Sequence, residues 1–183
     1  MSLEKKNIVY LTGFMGCGKS TIAPLLANVL GYDFVDIDNA VEQLAQKSVT
    51  RIFEEHGEEY FRAMEHTVLL ESGRRKGCVV SLGGGTLTRA ENLAFVKSSG
   101  LLVYLKTHPE HIIRRMRHKT NRPLLFRSEG EPPDDAVLSA RITQLLAERE
   151  PFYNQADLVI RTDDKPIRYT VDEIVRLVRK YVE

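Results

Sequence analysis

The sequence predicts one α/β domain of three layers, in which a five-stranded parallel sheet is flanked by helices. Five short apolar segments rich in β-branched residues are spaced along the chain, and segments of helical periodicity alternate with them. Strands that alternate with helices form a parallel sheet covered on both faces. The chain has 183 residues, which is enough for one domain with a full core and too few to expect two.

The first predicted strand leads into a glycine-rich loop. The strand covers Ile8 to Leu11, and the loop runs from Gly13 to Ser20 with the spacing G-x-x-x-x-G-K-S, before a helix that ends at Gly31. Between a strand and a helix, this spacing is that of the phosphate-binding P-loop. Its glycines let successive backbone N–H groups turn toward an anion, and the positive end of the helix dipole adds to the attraction. An ordinary glycine-rich turn is the alternative.

The P-loop therefore predicts that the chain binds a nucleoside triphosphate and Mg²⁺. We expect Lys19 to reach the β- and γ-phosphates and the hydroxyl of Ser20 to bind the metal ion. The residues of this segment expected to contact the nucleotide are Gly13, Gly16, Cys17, Gly18, Lys19, Ser20 and Thr21.

The second predicted strand, residues 32–36, is followed by a second aspartate. Asp36 and Asp38 lie at its carboxyl end, where ligands gather in parallel sheets. Asp38 is a candidate to accept a proton from an acceptor hydroxyl, and Asp36 to orient waters around Mg²⁺. The alternative is helix capping or a solvated loop, and residues 39–42 have the spacing of a capping box.

Periodicity and glycine breaks predict the remaining elements. Helical segments are expected at 41–46 and 52–55, and a longer helix after Gly57 that carries Arg62 and Glu65 one turn apart. A polar segment at about 118–135 is long for a compact domain and is expected to be a mobile lid. The other strands are predicted at 77–82, 101–105 and 157–160, and the other helices at 112–117, 135–150 and 171–181.

Composition and charge argue against several classes of protein. A net charge of +1 is not that of a dedicated nucleic-acid binder. No apolar run is long enough to span a bilayer, and the N-terminal residues lack the apolar core of a signal peptide. Cys17 and Cys78 show neither metal-ligand spacing nor a disulfide pattern. We therefore expect reduced thiols in a cytoplasmic protein that binds neither nucleic acid nor membrane.

Two absent motifs narrow the choice among P-loop proteins. The chain has no N-K-x-D sequence, which reads guanine in GTPases, and no apolar strand ending in Asp-Glu, as in motor ATPases. A lid and a second pocket are features of a small-molecule kinase, which must exclude water. Arg62, Arg122 and Arg149 could bind an acidic substrate through paired N–H donors, although a single arginine is more often a solvated surface residue.

Several motifs, in the family's order, resemble those of shikimate kinases. They are the P-loop, F-V-D-I-D at 34–38, G-E-E-Y-F-R-A-M-E at 57–65, the glycines at 83–85, N-R-P-L-L at 121–125 and R-E-P-F-Y at 149–153. The resemblance implies a nucleoside-monophosphate-kinase fold in a single kinase domain over 1–183, with an acceptor-binding region at about 36–65. It also implies transfer of a phosphoryl group from ATP to the 3-hydroxyl of shikimate, on the way to chorismate and the aromatic amino acids.

The resemblance further implies the roles of individual residues. Arg62 and Arg149 would bind the carboxylate of shikimate, with Glu65 holding Arg62 in place. Asp38 would act as the base or orient the hydroxyl, and Arg122 would move with the lid to the transferring phosphoryl group. The residues expected to bind shikimate are Asp38, Arg62, Gly83, Gly84, Gly85 and Arg149.

On the nucleotide side, the resemblance implies that Arg115 and the segment near Pro166 flank adenine. The sequence departs from the family in this adenine segment, where Arg161 to Asp164 stands in place of the usual Asp-Thr. It also departs in the lid, which is longer by an insertion at 128–133. The protein is expected to be a monomer. The alternatives that remain are a gluconate or nucleoside-monophosphate kinase of the same fold, and a nucleotide-binding regulator without catalytic activity.

Overall fold

The computed structural model describes residues 7–116, 135–163 and 165–182. Within them, five strands form one parallel sheet, which confirms the predicted fold class. The order across the sheet is β2-β3-β1-β4-β5, so the chain crosses over between neighbours. The strands are β1 (Ile8–Thr12), β2 (Asp33–Asp36), β3 (Cys78–Ser81), β4 (Leu101–Lys106) and β5 (Leu158–Arg161).

The helices cover both faces of the sheet. Alternate residues of β1 show this: Ile8 and Tyr10 pack into one apolar cluster with α2 to α6, while Val9 and Leu11 pack into another with α1 and α7. The described helices are α1 (Lys19–Leu30), α2 (Ile37–Ala45), α3 (Val49–Ser72), α4 (Ala90–Ser99), α5 (Pro109–Met116), α6 (Asp135–Tyr153) and α7 (Ile167–Val178), with a 3₁₀ turn at Thr86–Thr88.

Several details differ from the predictions, besides shifts of a few residues in the bounds of α5 and α7. Helix α4 was not predicted, because its fully buried side chains are Asn92 and Val96, and a buried asparagine interrupts the apolar period. The two segments around Gly57 form one kinked helix, in which Gly57 has φ 80° and ψ 174°. Helix α2 begins at Ile37, capped by Asp36, rather than near Asn39.

The topology brings the carboxyl ends of three strands to one edge. β1 lies between β3 and β4, and Asp36 at the end of β2 is level with Ser81 at the end of β3. The P-loop, the two aspartates and the glycines at 83–85 therefore follow neighbouring strands. None of the described helices is long and apolar enough to cross a membrane. Residues 118–134 of the predicted lid, including Arg122, lie outside the described residues.

Candidate active site

The loop after β1 has the backbone conformation expected for anion binding. Gly13, Gly16 and Gly18 have φ values of 143°, 82° and 106°, which side-chain-bearing residues rarely adopt. Gly18 is the N-cap residue of α1, so the positive end of that helix points into the loop. Residues 15–22 line one side of a cavity of about 430 Å³. The structure thus supports the predicted triphosphate site.

Lys19 lies over this loop. Its Nζ donates to the carbonyl oxygens of Gly13 at 2.6 Å and Phe14 at 3.2 Å. The side chain of Cys17 is buried, and its Sγ would lie 2.8 Å from a methyl group placed on Gly13. Cys17 therefore fills space under the loop, although it also lines the cavity.

Oxygen atoms suited to Mg²⁺ line the same cavity. Ser20, Asp36 and Asp38 all contribute to its wall. Asp36 also caps α2, because its Oδ1 accepts from the backbone N–H of Asn39 at 3.2 Å. The described residues contain no cluster of three or more metal-ligating side chains. Mg²⁺ in kinases needs only one or two protein oxygens besides phosphates and waters, so the hydroxyl and carboxylates present here fit the ion.

A second cavity of about 70 Å³ adjoins the first. The two cavities share Met15, Asp38 and Gly84 in their walls. The smaller one also contains both predicted arginines on the described part of the chain, Arg62 and Arg149. Asp38 therefore stands where the cavity beside the P-loop meets a cavity lined by two arginines.

Arg62 is nearly buried, with 8% of its surface exposed, and it is paired with two carboxylates. Its NH1 donates to Glu65 at 2.8 Å, and its Nε and NH2 donate to the same oxygen of Glu58 at 3.3 and 3.1 Å. Burial alone would lower the pKa of Arg62, but Glu65 and Glu58 outweigh it and raise that pKa. The guanidinium is thus held as a permanent cation at the wall of the second cavity.

Arg149, from α6, stands on the other side of the glycines. Only 6% of its surface is exposed, and its guanidinium carbon lies 5.8 Å from the centre of the Phe14 ring. Tyr153, one turn further along α6, donates a hydrogen bond from its hydroxyl to the carbonyl of Gly84. This bond ties the middle glycine to the helix that carries the second arginine.

Each glycine of the triplet lies against a proposed acceptor-binding side chain. A methyl group on Gly83 would stand 2.9 Å from Oδ1 of Asp38, and one on Gly84 would stand 3.2 Å from NH1 of Arg149. A methyl group on Gly85 would stand 2.3 Å from NH2 of Arg62. A side chain at 83 or 85 would therefore come closer to these groups than normal contact allows, whereas one at 84 needs only a small shift of Arg149. The structure brings together all six predicted shikimate-binding residues.

Residues of α5 and of the chain around the start of α7 also line the large cavity. Arg115 donates from NH1 to the carbonyl of Gly16 at 2.9 Å and lines the cavity. Pro166 is the N-cap residue of α7, and its neighbours Lys165 and Ile167 are in the cavity wall. Lys165 and Thr162 also line this cavity, although the sequence did not predict them. In this part of the chain, only the segment near Pro166 was expected to contact the nucleotide.

Comparison with known proteins identifies the family of the chain. The family model for shikimate kinase matches residues 15–179. A shikimate kinase of Chlorobium phaeovibrioides is 45% identical over 181 residues, which cover 98% of this chain and 92% of that protein. The solved structure of a shikimate kinase from Acinetobacter baumannii in complex with shikimate is 35% identical, with a TM-score of 0.87 and coverage of 98% of this chain and 96% of that one.

A gluconokinase structure shares the fold alone. The protein from Sinorhizobium meliloti is 15% identical, with a TM-score of 0.59 over 96% of this chain and 93% of that chain. Identity this low carries no information on the acceptor. The closer likeness in sequence and in structure is to shikimate kinases.

Proposed function

The chain belongs to the shikimate kinase family, and we propose that it transfers the γ-phosphoryl group of ATP to the 3-hydroxyl of shikimate. The products are ADP and shikimate 3-phosphate, on the way to chorismate and the aromatic amino acids. The observation that carries this function is the position of Asp38 at the junction of the two cavities. A carboxylate there can reach a hydroxyl bound among arginines and present it to a phosphate held by the P-loop.

On the nucleotide side, the P-loop amides and Lys19 would hold the phosphates. Lys19 now donates to two loop carbonyls, so it is already placed over the loop and needs only to exchange a carbonyl for a phosphate oxygen. We propose Ser20 and Asp36 as the protein oxygens on or near Mg²⁺. When bound, the ion would neutralise charge on the phosphates during transfer. Arg115 and the segment around Pro166 would flank the adenine.

On the acceptor side, Arg62 and Arg149 would bind the carboxylate of shikimate. Both guanidinium groups are buried, and a buried Arg–carboxylate pair is strong and directional because two parallel N–H donors match two oxygens. The glycines at 83–85 would let the ring approach the backbone closely. Asp38 would accept the proton of the 3-hydroxyl, or orient that hydroxyl, as phosphoryl transfer proceeds.

The proposed lid, about 118–135, would close over both ligands and bring Arg122 to the transferring phosphoryl group. Arg122 lies outside the described residues, so its role stays a prediction. Closure would exclude water, which otherwise competes with the acceptor hydroxyl. Hydrogen exchange should therefore slow across 118–135 when a non-hydrolysable ATP analogue and shikimate bind together. Exchange that is unchanged by either ligand, alone or together, would show that this segment is not a lid.

We further propose a cytoplasmic monomer that binds neither nucleic acid nor membrane. Both cysteines are buried as free thiols, which suits a reducing compartment.

The proposed function is tested by ADP release in the presence of ATP and Mg²⁺, with shikimate, gluconate or AMP as the acceptor. Release that depends on shikimate alone is the expected result. Release with gluconate or AMP instead would keep the kinase and overturn the substrate. ATP binding without release for any acceptor would favour a nucleotide-binding regulator.

A further inference from the structure

A series of hydrogen bonds leads from Arg62 through the protein interior to α4. Glu65 is fully buried; its Oε2 accepts from NH1 of Arg62 at 2.8 Å, and its Oε1 accepts from the hydroxyl of Thr86 at 2.5 Å. The backbone carbonyl of Thr86 accepts from Nδ2 of Asn92 at 2.9 Å. The Oδ1 of Asn92 lies 2.6 Å from Nδ1 of His66, on the same helix as Arg62.

The donors and acceptors of this series are consistent from end to end. An ionised carboxylate only accepts, so the Thr86 hydroxyl must donate to Glu65. The amide of Asn92 donates to a carbonyl, which leaves its oxygen to accept from a protonated Nδ1 of His66. Asn92 and Thr86 are both fully buried, and a buried polar group is stable only when it is hydrogen-bonded.

We propose that Thr86 and Asn92 are positioning residues, which keep the guanidinium of Arg62 directed at the acceptor carboxylate. This inference rests on the proposed function, because it takes Arg62 as the carboxylate-binding residue. The two oxygens of Glu65 have different partners, one Arg62 and the other Thr86. The carboxylate of Glu65 therefore engages only NH1 of Arg62, while Nε and NH2 donate to the exposed Glu58, which an acceptor carboxylate would displace.

Loss of the Thr86 hydroxyl would change how the two oxygens of Glu65 are paired. Oε1 of Glu65 would be left in the interior without its hydrogen bond, which is costly for a buried carboxylate. The carboxylate could recover a partner by turning both oxygens toward Arg62, since guanidinium and carboxylate pair readily through two bonds. That rotation would draw the guanidinium toward α3 and away from the second cavity.

The 3₁₀ turn at 86–88 fixes the position of the Thr86 hydroxyl next to Glu65. The N–H of Thr86 donates to the carbonyl of Gly83 at 3.2 Å, and a methyl group on Gly83 would lie 2.7 Å from Oε1 of Glu65. The bond between Thr86 and Glu65 therefore runs directly against the glycine that also borders Asp38. Asn92 holds the turn from the other side through the Thr86 carbonyl.

The test compares Thr86→Val, which removes the hydroxyl at constant volume, with Thr86→Ser, which retains it. Asn92→Leu removes the outer support of the turn. Thr67→Val is the control, because the Thr67 hydroxyl donates to the carbonyl of Ala63 on the exposed face of α3. For each variant, ADP release is measured against shikimate at saturating ATP and against ATP at saturating shikimate, together with Tm.

Thr86→Val should raise the KM for shikimate about tenfold, while kcat and the KM for ATP stay within about twofold of the wild type. Asn92→Leu should raise the same KM by about threefold, and Thr86→Ser and Thr67→Val should leave it within about twofold. An unchanged KM for shikimate in Thr86→Val would overturn the proposal. Equal losses in Thr86→Val and Thr86→Ser, accompanied by a lower Tm and a higher KM for ATP, would overturn it in favour of a purely structural role.

The wild type, in the same assay, separates this proposal from the function on which it rests. Wild-type protein that releases no ADP with shikimate would overturn both. Wild-type protein that releases ADP with shikimate, beside a Thr86→Val variant with unchanged kinetics, would overturn the positioning role alone.

Discussion

Replacing Gly85 with alanine tests the acceptor site through a single methyl group. Gly85 has φ −107° and ψ −2°, a conformation open to alanine, so the backbone itself need not be strained. The added carbon would stand 2.3 Å from NH2, 2.8 Å from Cζ and 2.9 Å from NH1 of Arg62. The perturbation is therefore aimed at one guanidinium group.

The size of the effect follows from these distances. Ordinary contact between such atoms begins near 3.4 Å, so the guanidinium must retreat by about 1 Å. Its bond to Glu65 is only 2.8 Å long and lies in the protein interior, which restricts the directions open to it. Misplacement of a binding group by about 1 Å can cost up to about 100-fold. We expect the KM for shikimate to rise by about 10- to 100-fold, or about 1.4 to 2.8 kcal/mol of binding free energy.

Gly84→Ala is the matched control for this change. Its methyl group would stand 3.2 Å from NH1 of Arg149, so the neighbouring arginine needs to move by only a few tenths of an ångström. We expect the KM for shikimate to rise by less than about fivefold in Gly84→Ala. ADP release is measured for both variants at saturating ATP, with circular dichroism and Tm to confirm folding. A folded Gly85→Ala protein with the wild-type KM for shikimate would refute Arg62 as the carboxylate-binding residue.

Three further predictions concern the base, a competing carboxylate and buried tyrosines. Asp38→Asn should lower turnover by about 10²- to 10⁴-fold and leave ATP affinity within about twofold, measured by ADP release and ligand titration; near-normal turnover would remove Asp38 from the mechanism. Glu58→Gln should tighten shikimate binding by up to about fivefold, because Glu58 is an exposed anion on two donors of Arg62, and calorimetric titration that shows weaker binding would contradict this. Burial raises the pKa of Tyr104 and Tyr153 above the ordinary value of 10, so the free energy of unfolding should be retained below pH 10 and fall as the pH rises further. In urea unfolding between about pH 8 and pH 11, the free energy of unfolding should fall less in Tyr104→Phe than in the wild type. An equal fall in the two proteins would show that Tyr104 does not contribute to this pH dependence.

The parts of the fold that the sequence predicted are those with a strong local signal. The P-loop could be predicted because its glycines must adopt positive φ at fixed spacing, as Gly13, Gly16 and Gly18 do. Strands β1, β3 and β4 could be predicted because strands buried on both faces, as in a parallel sheet, are nearly continuous apolar runs. Helix α4 could not be predicted from apolar periodicity, because one of its buried residues, Asn92, is a polar residue that bonds to the 3₁₀ turn.

The convergence of the site could be predicted only in part. Parallel strands bring their carboxyl ends to one edge, which is enough to place Asp38 near the P-loop. The meeting of Arg62 on α3 with Arg149 on α6 depends on how two helices pack over the glycine triplet. Residues so far apart in sequence leave no periodic signal of that contact, and only the resemblance to a family implied it.

The structure also explains why this site is built on buried charge. Arg62 and Glu65 together cost desolvation, and a buried pair of this kind is weak grounds for stability. The pair instead fixes the orientation of the guanidinium. Glu65, held by Thr86, binds one side of it, and the half-exposed Glu58 binds the other side. Under the proposed function, an acceptor carboxylate would replace the exposed Glu58 on Arg62 rather than strip water from a free cation.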